Sequence, residues 1–326
     1  MLLIQQTSTN PYFNIASEEY LLKKFSDDIF ILYRNEPSII VGKHQNTLAE
    51  INLEYVKRNK LNVIRRLSGG GTVYHDLGNL NYTFIANGSE GNLVDFKKFT
   101  QPIIDVLQKL SIGAKLGGKN DIRVGDKKIS GNAEHVYKNR VLHHGTLLFS
   151  SNLDELNESI KINPNTYSDK AVKSIRSQVA NISEFLKEPI TITEFADLIA
   201  THIKQVFKSS KSYQLSNNDI NIINGLVDTK YSTWEWNFGY SPTYTLNKEI
   251  LIGENILGVM ISVDKGIIRE VKLNGNLLNK EYLLKIEQTL TDCPHDIDAI
   301  AEKISTAGLE KINPNLTVDR ILMGLF

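Results

Sequence analysis

The sequence predicts an α+β protein with a large first domain of mixed and antiparallel sheets, flanked by helices, and a small α+β second domain. Three observations lead there. Strand-like and helix-like stretches mix over residues 1–243 without the regular strand–helix–strand alternation of a parallel sheet. Gly239 and Pro242 interrupt the chain just before residue 244, which places the boundary between a 1–243 domain and a 244–326 domain. At 326 residues and 41% hydrophobic content, the chain can bury one sizeable core and a second, smaller one.

The elements follow in order. Asn14 is placed to cap a helix over about residues 14–25, where Phe13, Ala16, Tyr20, Leu21 and Phe25 recur near helical spacing. Two β-rich runs, IFILYR and SIIVGK, come next, then a helical stretch near residues 49–60. NVIRRL, the glycine-rich SGGGTVYHDLGN and LNYTFIA read as strand, loop and strand, so this glycine loop does not open a helix. Residues 96–110 resume helical periodicity, and DIRV and KKIS flank Gly125-Asp126, a pair suited to a two-residue hairpin turn. VLHHGTLLFS is a buried strand, and Asn152 with Glu155 three residues later resembles a capping box opening another helix. The polar run 161–182 has no clear periodicity and predicts a long, mobile loop. Beyond Tyr244, EILIG, ILGVMISV and IIREVKL read as strands with a turn at Asp264-Lys265-Gly266, and two helices complete the chain.

Composition narrows the function classes. The 37 basic residues balance 37 acidic ones, so no global field draws in nucleic acid or an anionic membrane, and neither is an expected partner. Residues 244–326 carry 9 basic and 12 acidic residues, a net of −3, which leaves +3 for residues 1–243. No apolar run approaches the roughly 20 residues that span a bilayer, and the N-terminus lacks a basic segment followed by a long apolar one. The single cysteine, Cys293, excludes an internal disulfide or a thiolate metal cluster, and a cytoplasmic location is expected.

Candidate chemistry gathers in two stretches. Gly69, Gly70 and Gly71 let the backbone approach a ligand and turn its N–H groups towards an anion, although a glycine triplet alone is more often a flexible turn. Around it stand Arg65 and Arg66, whose planar forks suit carboxylate and phosphate, and Tyr74, His75 and Asp76. Strand alternation sends Arg65 and Arg66 to opposite sides, so one of them is expected in a surface ion pair. In the second stretch, GGKNDIRVGDKKISGNA, alternation sends Lys127 and Lys128 to opposite faces, one outward and one inward. His143 and His144 also point apart and cannot share a metal. A Ser68–His75–Asp76 triad lacks any nucleophile-elbow pattern around its serine.

RRLSGGGTVYHDLGNLNYTF, GGKNDIRVGDKKISGNA, HHGTLLFSSNLDEL, KSIRSQVANI and WEWNFG, in this order from about Phe13 to Gly239, together resemble the lipoate-protein ligase A family. The resemblance implies a biotin/lipoate ligase-like catalytic domain and a C-terminal accessory domain. It implies ATP contacts at Arg66, Gly71, Thr72, Val73, Tyr74 and Lys128, with Lys128 catalytic. It also implies a lipoate pocket formed by Arg65, Ser68, Gly69, Gly70, His75, Lys128 and His144. Asn120 and Asp121 match a pair with a nucleotide or Mg²⁺ role, Asp121 being the magnesium candidate. KSIRSQVANI resembles the loop that folds over the adenylate.

The implied reaction joins lipoate to ATP as lipoyl-AMP with release of pyrophosphate. It then transfers the lipoyl group to a lysine on lipoyl domains of 2-oxoacid dehydrogenase complexes or on the glycine cleavage H protein. Related octanoyl and lipoyl transferases use an active-site cysteine, which leaves Cys293, remote from every motif, as the sole candidate for such a route. A non-catalytic lipoyl- or nucleotide-binding protein is the other alternative, opposed by the presence of Arg66, Gly69 to Gly71, Asp121 and Lys128 together.

Overall fold

Pairing of the β-rich runs produces three sheets. In the computed structural model, residues 1–88, 93–118, 120–160, 166–252, 254–275, 280–309 and 317–326 are described. The first part of the polar run (161–165), Lys119 of the GGKND stretch and Gly253 of EILIG lie outside these residues. The largest sheet runs in the order Lys211–Ser212, Leu2–Gln5, Ile29–Tyr33, Asn79–Asn87, Arg140–Leu148, Lys127–Tyr137, Asp121–Val124 and Ala114–Gly117. Arg140–Leu148 is buried at every position, as a central strand covered on both faces must be. It pairs antiparallel with Asn79–Asn87, setting His143 opposite Phe84 and His144 opposite Thr83.

A smaller sheet has Ser38–Val41 at its centre, parallel to Asn62–Arg65 and antiparallel to Val73–His75. The two outer strands are joined by residues 66–72, so the glycine loop crosses the end of the central strand. The third sheet, Tyr167–Asp169, Tyr244–Ile252, Asn255–Asp264 and Ile267–Gly275, is antiparallel. At its last hairpin Lys265 and Gly266 both take positive φ, 50° and 75°, which the predicted Asp264-Lys265-Gly266 turn requires.

The chain divides into two compact units, and neither is continuous in sequence. One unit comprises Met1–Lys43, Val56–Ile160 and Ser174–Thr233. Its core packs Phe30, Phe84 and Val141 of the large sheet with Ile103, Leu107, Phe195 and Ile203 of the helices Phe96–Lys109 and Ile192–Val206. The other comprises His44–Tyr55, Lys161–Lys173 and Trp234–Phe326, with a core that includes Leu246, Ile261, Val263, Ile286, Ile300 and Ile304. Sheets and helices segregated in this way meet the α+β expectation. Among the described residues, no helix is long and apolar enough to cross a membrane.

Several local elements differ from their expected bounds. The first helix is Pro11–Lys24, and its cap is Asn10, whose side chain accepts from Phe13 N; Pro11 opens it without needing an N–H partner. Asn14 lies inside that helix, fully buried, donating to Ser8 O, Arg34 O and Asn35 Oδ1. The helical stretch near 49–60 is two short helices, Thr47–Glu50 and Leu53–Asn59. Asn152 does cap Leu153–Ser159, accepting from Asp154 N and Glu155 N. After the third sheet there are three helices among the described residues, not two: Lys280–Leu290, Ile297–Thr306 and Val318–Leu325.

Candidate active site

Both arginines of the Arg-Arg pair are buried, which corrects the expectation that one would lie in a surface ion pair. The strand stops at Arg65, so alternation no longer governs Arg66. Arg65 donates through Nη1 to the carbonyls of Gly42 and Lys43. Arg66 is the clamp of the glycine loop: Nη2 donates to Gly69 O and Gly71 O, each at 2.7 Å, Nη1 to Ile40 O at 3.0 Å, and Nε to Ser68 Oγ at 3.0 Å. Burial pushes its guanidinium down to about 10, still cationic at neutral pH. Gly70 passes between these carbonyls with φ +89°, and a Cβ there would stand 3.1 Å from Arg66 Nη2. A side chain at this position meets both a strained backbone and the guanidinium.

The hairpin reading holds, with Asp121–Val124 and Lys127–Tyr137 antiparallel across Gly125-Asp126 and Gly125 at φ +60°. Lys127 points outward to within 3.9 Å of Glu184. Lys128 is half-buried and lies across Gly131, where a Cβ would come within 3.1 Å of both Cε and Nζ. Burial pushes the ammonium down from its ordinary value, Asp121 opposes the shift, and the cationic Arg123 and Arg66 add to it. An ammonium held among guanidinium groups is poised for an anion.

The segment 174–180 ties these two stretches together. Thr72 N donates to Ser174 Oγ at 2.9 Å, and further along Lys128 N donates to Gln178 O while Ala180 N donates to Lys128 O. A Cβ at Gly71 would stand 3.0 Å from Ser174 Oγ, so glycine is needed where the segment crosses the loop. Beside these contacts, Asp121 Oδ2 accepts from Arg123 Nε at 2.8 Å, and the exposed Asn120 exchanges hydrogen bonds with Asn132.

A family model described as the lipoyl protein ligase A/B catalytic domain matches residues 10–204, and one for the bacterial lipoate protein ligase C-terminus matches residues 241–325. The chain belongs to the lipoate-protein ligase family. Lipoate--protein ligase 1 of Staphylococcus aureus is 42% identical over 301 residues, covering 91% of each chain. LplJ, a lipoate-protein ligase of Bacillus subtilis, is 38% identical over 99% of both chains. Three solved structures are each 28% identical and each covered over 98% of their length. They are lipoate-protein ligase A bound with ATP (TM-score 0.65, 73% of this chain), T. acidophilum Ta0514 with bound lipoic acid (0.63, 73%) and a bipartite T. acidophilum ligase described with its E2 lipoyl domain (0.64, 77%).

Within this family member, the remaining candidates fall into two groups. Ser68 and His144 meet directly, Oγ to Nε2 at 2.6 Å, and both are buried. His75 receives Asn35 Nδ2 at Nδ1, and its buried Nε2 has no partner among the described residues. Burial, with Arg66 and His144 nearby, pushes His75 down to about 3, so a neutral ring holds an unmatched N–H within the site. By contrast Asp76 accepts from Gly78 N and Asn152 N and so shapes the turn and the next helix. Tyr74 is buried, its hydroxyl donating to Glu155 at 3.2 Å; Val73 precedes it on the same short strand. His143 faces the other way, against Glu134, Phe96 and Phe99.

Sequence reading missed Glu18, Arg123 and Ser174. Arg123 is two residues from Asp121 on one strand, where i and i+2 share a face, so that pair was legible. Glu18 gave a weaker signal, standing at i+4 from Asn14 on a face otherwise read as apolar. For magnesium, no group of three or more His, Cys, Asp or Glu side chains is gathered among the described residues. Asp121 is a single carboxylate whose Oδ1 has no partner among them, a donor set that fits an ion held mainly by phosphate oxygens and water.

Proposed function

We propose that the chain is an ATP-dependent lipoate-protein ligase that forms lipoyl-AMP and pyrophosphate and then transfers the lipoyl group to an acceptor lysine. The observation that carries this reading is the 174–180 segment, hydrogen-bonded at one end to the glycine loop and at the other to the backbone of Lys128. On this reading the two halves of an adenylation site belong to one unit, and the hydrogen bonds of residues 174–180 to both stretches support it.

Residue by residue, Arg66, Gly71, Thr72, Val73 and Tyr74 form the nucleotide side. Arg65, Ser68, Gly69, Gly70, His75 and His144 form the lipoate side. Lys128 serves both as the catalytic cation. The lipoate carboxylate is itself the nucleophile: its oxygen bonds to the α-phosphorus as the bond to the pyrophosphate oxygen breaks. Lys128, with its ammonium partly desolvated, offsets the repulsion between carboxylate and phosphate and stabilises charge on the phosphate oxygens. Magnesium, with Asp121 as its protein ligand and Asn120 beside it, would supply counter-charge to the phosphates. In the second half-reaction the acceptor amine attacks the acyl carbon of the mixed anhydride and AMP leaves.

Residues 1–243 carry this chemistry in our reading, and residues 244–326 act as the accessory domain. The acceptors are lipoyl domains of 2-oxoacid dehydrogenase complexes and the glycine cleavage H protein, in keeping with the E2 domain described for the T. acidophilum relative. Docking is expected to depend modestly on salt, because the net charge is zero. A thioester route has no support from Cys293, which is fully buried in the core of the other unit with burial pushing its thiol up.

The test is pyrophosphate release with ATP, Mg²⁺ and lipoate, with an apo lipoyl domain added, comparing wild type and Lys128→Ala. Lipoate-dependent release and acceptor labelling, both reduced on the order of a hundredfold or more by the substitution, are expected. Folded wild-type protein that releases no lipoate-dependent pyrophosphate would sink the reading.

A further inference from the structure

The strand Arg140–Leu148 sends its two adjacent histidines to opposite faces, and a buried glutamate meets each. On one face Glu134 Oε1 stands 2.8 Å from His143 Nδ1 among aromatic rings. On the other, Glu18 Oε2 stands 2.9 Å from His144 Nδ1, and this contact continues into the candidate site. His144 Nε2 lies 2.6 Å from Ser68 Oγ, and Ser68 Oγ accepts from Arg66 Nε at 3.0 Å. Four side chains from the first helix, the large sheet and the glycine loop thus form one continuous line: Glu18, His144, Ser68, Arg66. All four are at least nine-tenths buried.

The two ends of this line set the direction of its hydrogen bonds. Arg66 Nε can only donate, so Ser68 Oγ accepts there. An ionised Glu18 can only accept. Its Oε1 takes hydroxyl protons from Thr83 at 2.5 Å and Tyr33 at 3.0 Å, and its Oε2 takes the Nδ1 proton of His144. Burial raises Glu18, but His144, Thr83 and Tyr33 together hold it below the usual carboxylate range. With its Nδ1–H directed at Glu18, His144 presents Nε2 to Ser68 Oγ. Glu18 therefore orients the ring that His144 presents to Ser68, and Ser68 in turn fixes the roll of the Arg66 fork on Gly69 O and Gly71 O.

We propose that Glu18 is a positioning residue for the adenylation step, setting the glycine-loop conformation through His144, Ser68 and Arg66 without touching the nucleotide. The proposal rests on the ligase reading above. It explains why a carboxylate is buried in the first helix, 51 positions before the first loop glycine in the sequence. The Ser68–His144–Glu18 line resembles the arrangement of a hydrolytic triad, but Ser68 is only 1% exposed and its oxygen already receives Arg66. Bonded to both Arg66 and His144, Ser68 shapes the loop that forms the lipoate side and is no nucleophile.

Glu18→Gln keeps the shape and removes the charge, and Ser68→Ala removes the middle link. The Glu18→Gln variant should raise KM for ATP by about tenfold in lipoate-dependent pyrophosphate exchange, with a smaller change in KM for lipoate. Losses in the Glu18→Gln/Ser68→Ala double variant should fall short of the product of the single losses, because both cut the same line. By nitrogen-15 NMR of the ligand-free protein, the Arg66 Nε–H should exchange slowly with water in wild type and rapidly in both single variants. A change confined to KM for lipoate, losses that multiply, or an Arg66 Nε–H unmoved by either substitution each overturns the proposal. If Glu18→Gln does not fold, Ser68→Ala decides through the Arg66 signal. If wild type shows no lipoate-dependent exchange, the ligase reading fails, while the NMR measurement still decides whether the line exists.

Discussion

Lys128 illustrates how a single residue draws on its neighbours. Its ammonium lies across Gly131 with no room for a Cβ, so the glycine determines where the charge sits. Gly131→Ala is expected to leave the hairpin folded and to push Nζ aside by a few tenths of an ångström or more. Because small misplacements of a reacting group are costly, lipoate-dependent pyrophosphate release should fall about tenfold. Thermal melting beside steady-state kinetics checks this: an unchanged rate would show that Lys128 has no fixed station, and an equal loss of stability would make the defect one of folding. This also marks how far the site could be read from sequence. Arg66, Gly69 to Gly71 and Lys128 stood out as candidates because each lies in a short run with its own chemical logic. The tasks of Asp76 and Tyr74 were not, since their partners, Asn152 and Glu155, come from another element. Glu18 was only faintly readable for the same reason: its meaning depends on His144 and Thr83, which only strand pairing brings together.

At the scale of elements, the stretches with one strong period or a defined turn were the legible ones. The Gly125-Asp126 hairpin, the wholly buried Arg140–Leu148 strand and the Asn152 cap all follow from local geometry. The first helix was misplaced by its cap because Asn10 and Asn14 are both good capping residues, and Pro11 decides between them. The helices Ile192–Val206 and Asn217–Leu226 went unassigned although both open with a capping box, Thr191 with Glu194 and Ser216 with Asp219. The polar run was read as a loop, and what its sequence could not disclose is where it is fastened. Ser174 and residues 178–180 are hydrogen-bonded to the two functional stretches, whereas Ile175 between them is 90% exposed. An apolar side chain that exposed, on a segment held at both ends, would gain contacts if the segment took the covering role proposed for it when ligands bind. Lipoate and ATP together should slow tryptic cleavage after Lys173 and Arg176. Equal cleavage rates with and without them would remove the covering role.

For the molecule as a whole, acid sensitivity follows from where its titrating groups are buried. His75 in one unit is pushed down to about 3 and His295 in the other to about 4, in both cases first by burial. His295 is locked by Tyr244, whose hydroxyl lies 2.5 Å from Nδ1, and by its own Nε2–H donating to Leu325 O, with Phe326 stacked on the ring. Both folded-state values lie below the usual 6.5 of histidine, so the unfolded chain takes up protons first as the pH drops. Their contribution is complete above about pH 6.5 and is lost progressively towards pH 4 and pH 3. At about 1.4 kcal/mol per pKa unit, the shifts correspond to on the order of 5 kcal/mol for His75 and about 3 kcal/mol for His295 across their windows. Glu19, lowered to about 2 by Lys23, Lys230 and Tyr231 against the opposing effect of burial, acts in the same direction. A carboxylate of that kind gives its stability above its unfolded value and loses it as the pH falls, so it adds only below about pH 4.5. The midpoint of denaturant unfolding should therefore decline from pH 6.5 downwards, before any carboxylate titrates. His295→Gln, destabilised at neutral pH, should show a shallower decline over pH 6.5 to 4.5 because one of the buried rings no longer titrates. A wild-type midpoint that is flat from pH 7 to pH 5 would mean that the two rings gain protons as readily in the folded protein as in the unfolded chain, contradicting the burial that the structure gives them.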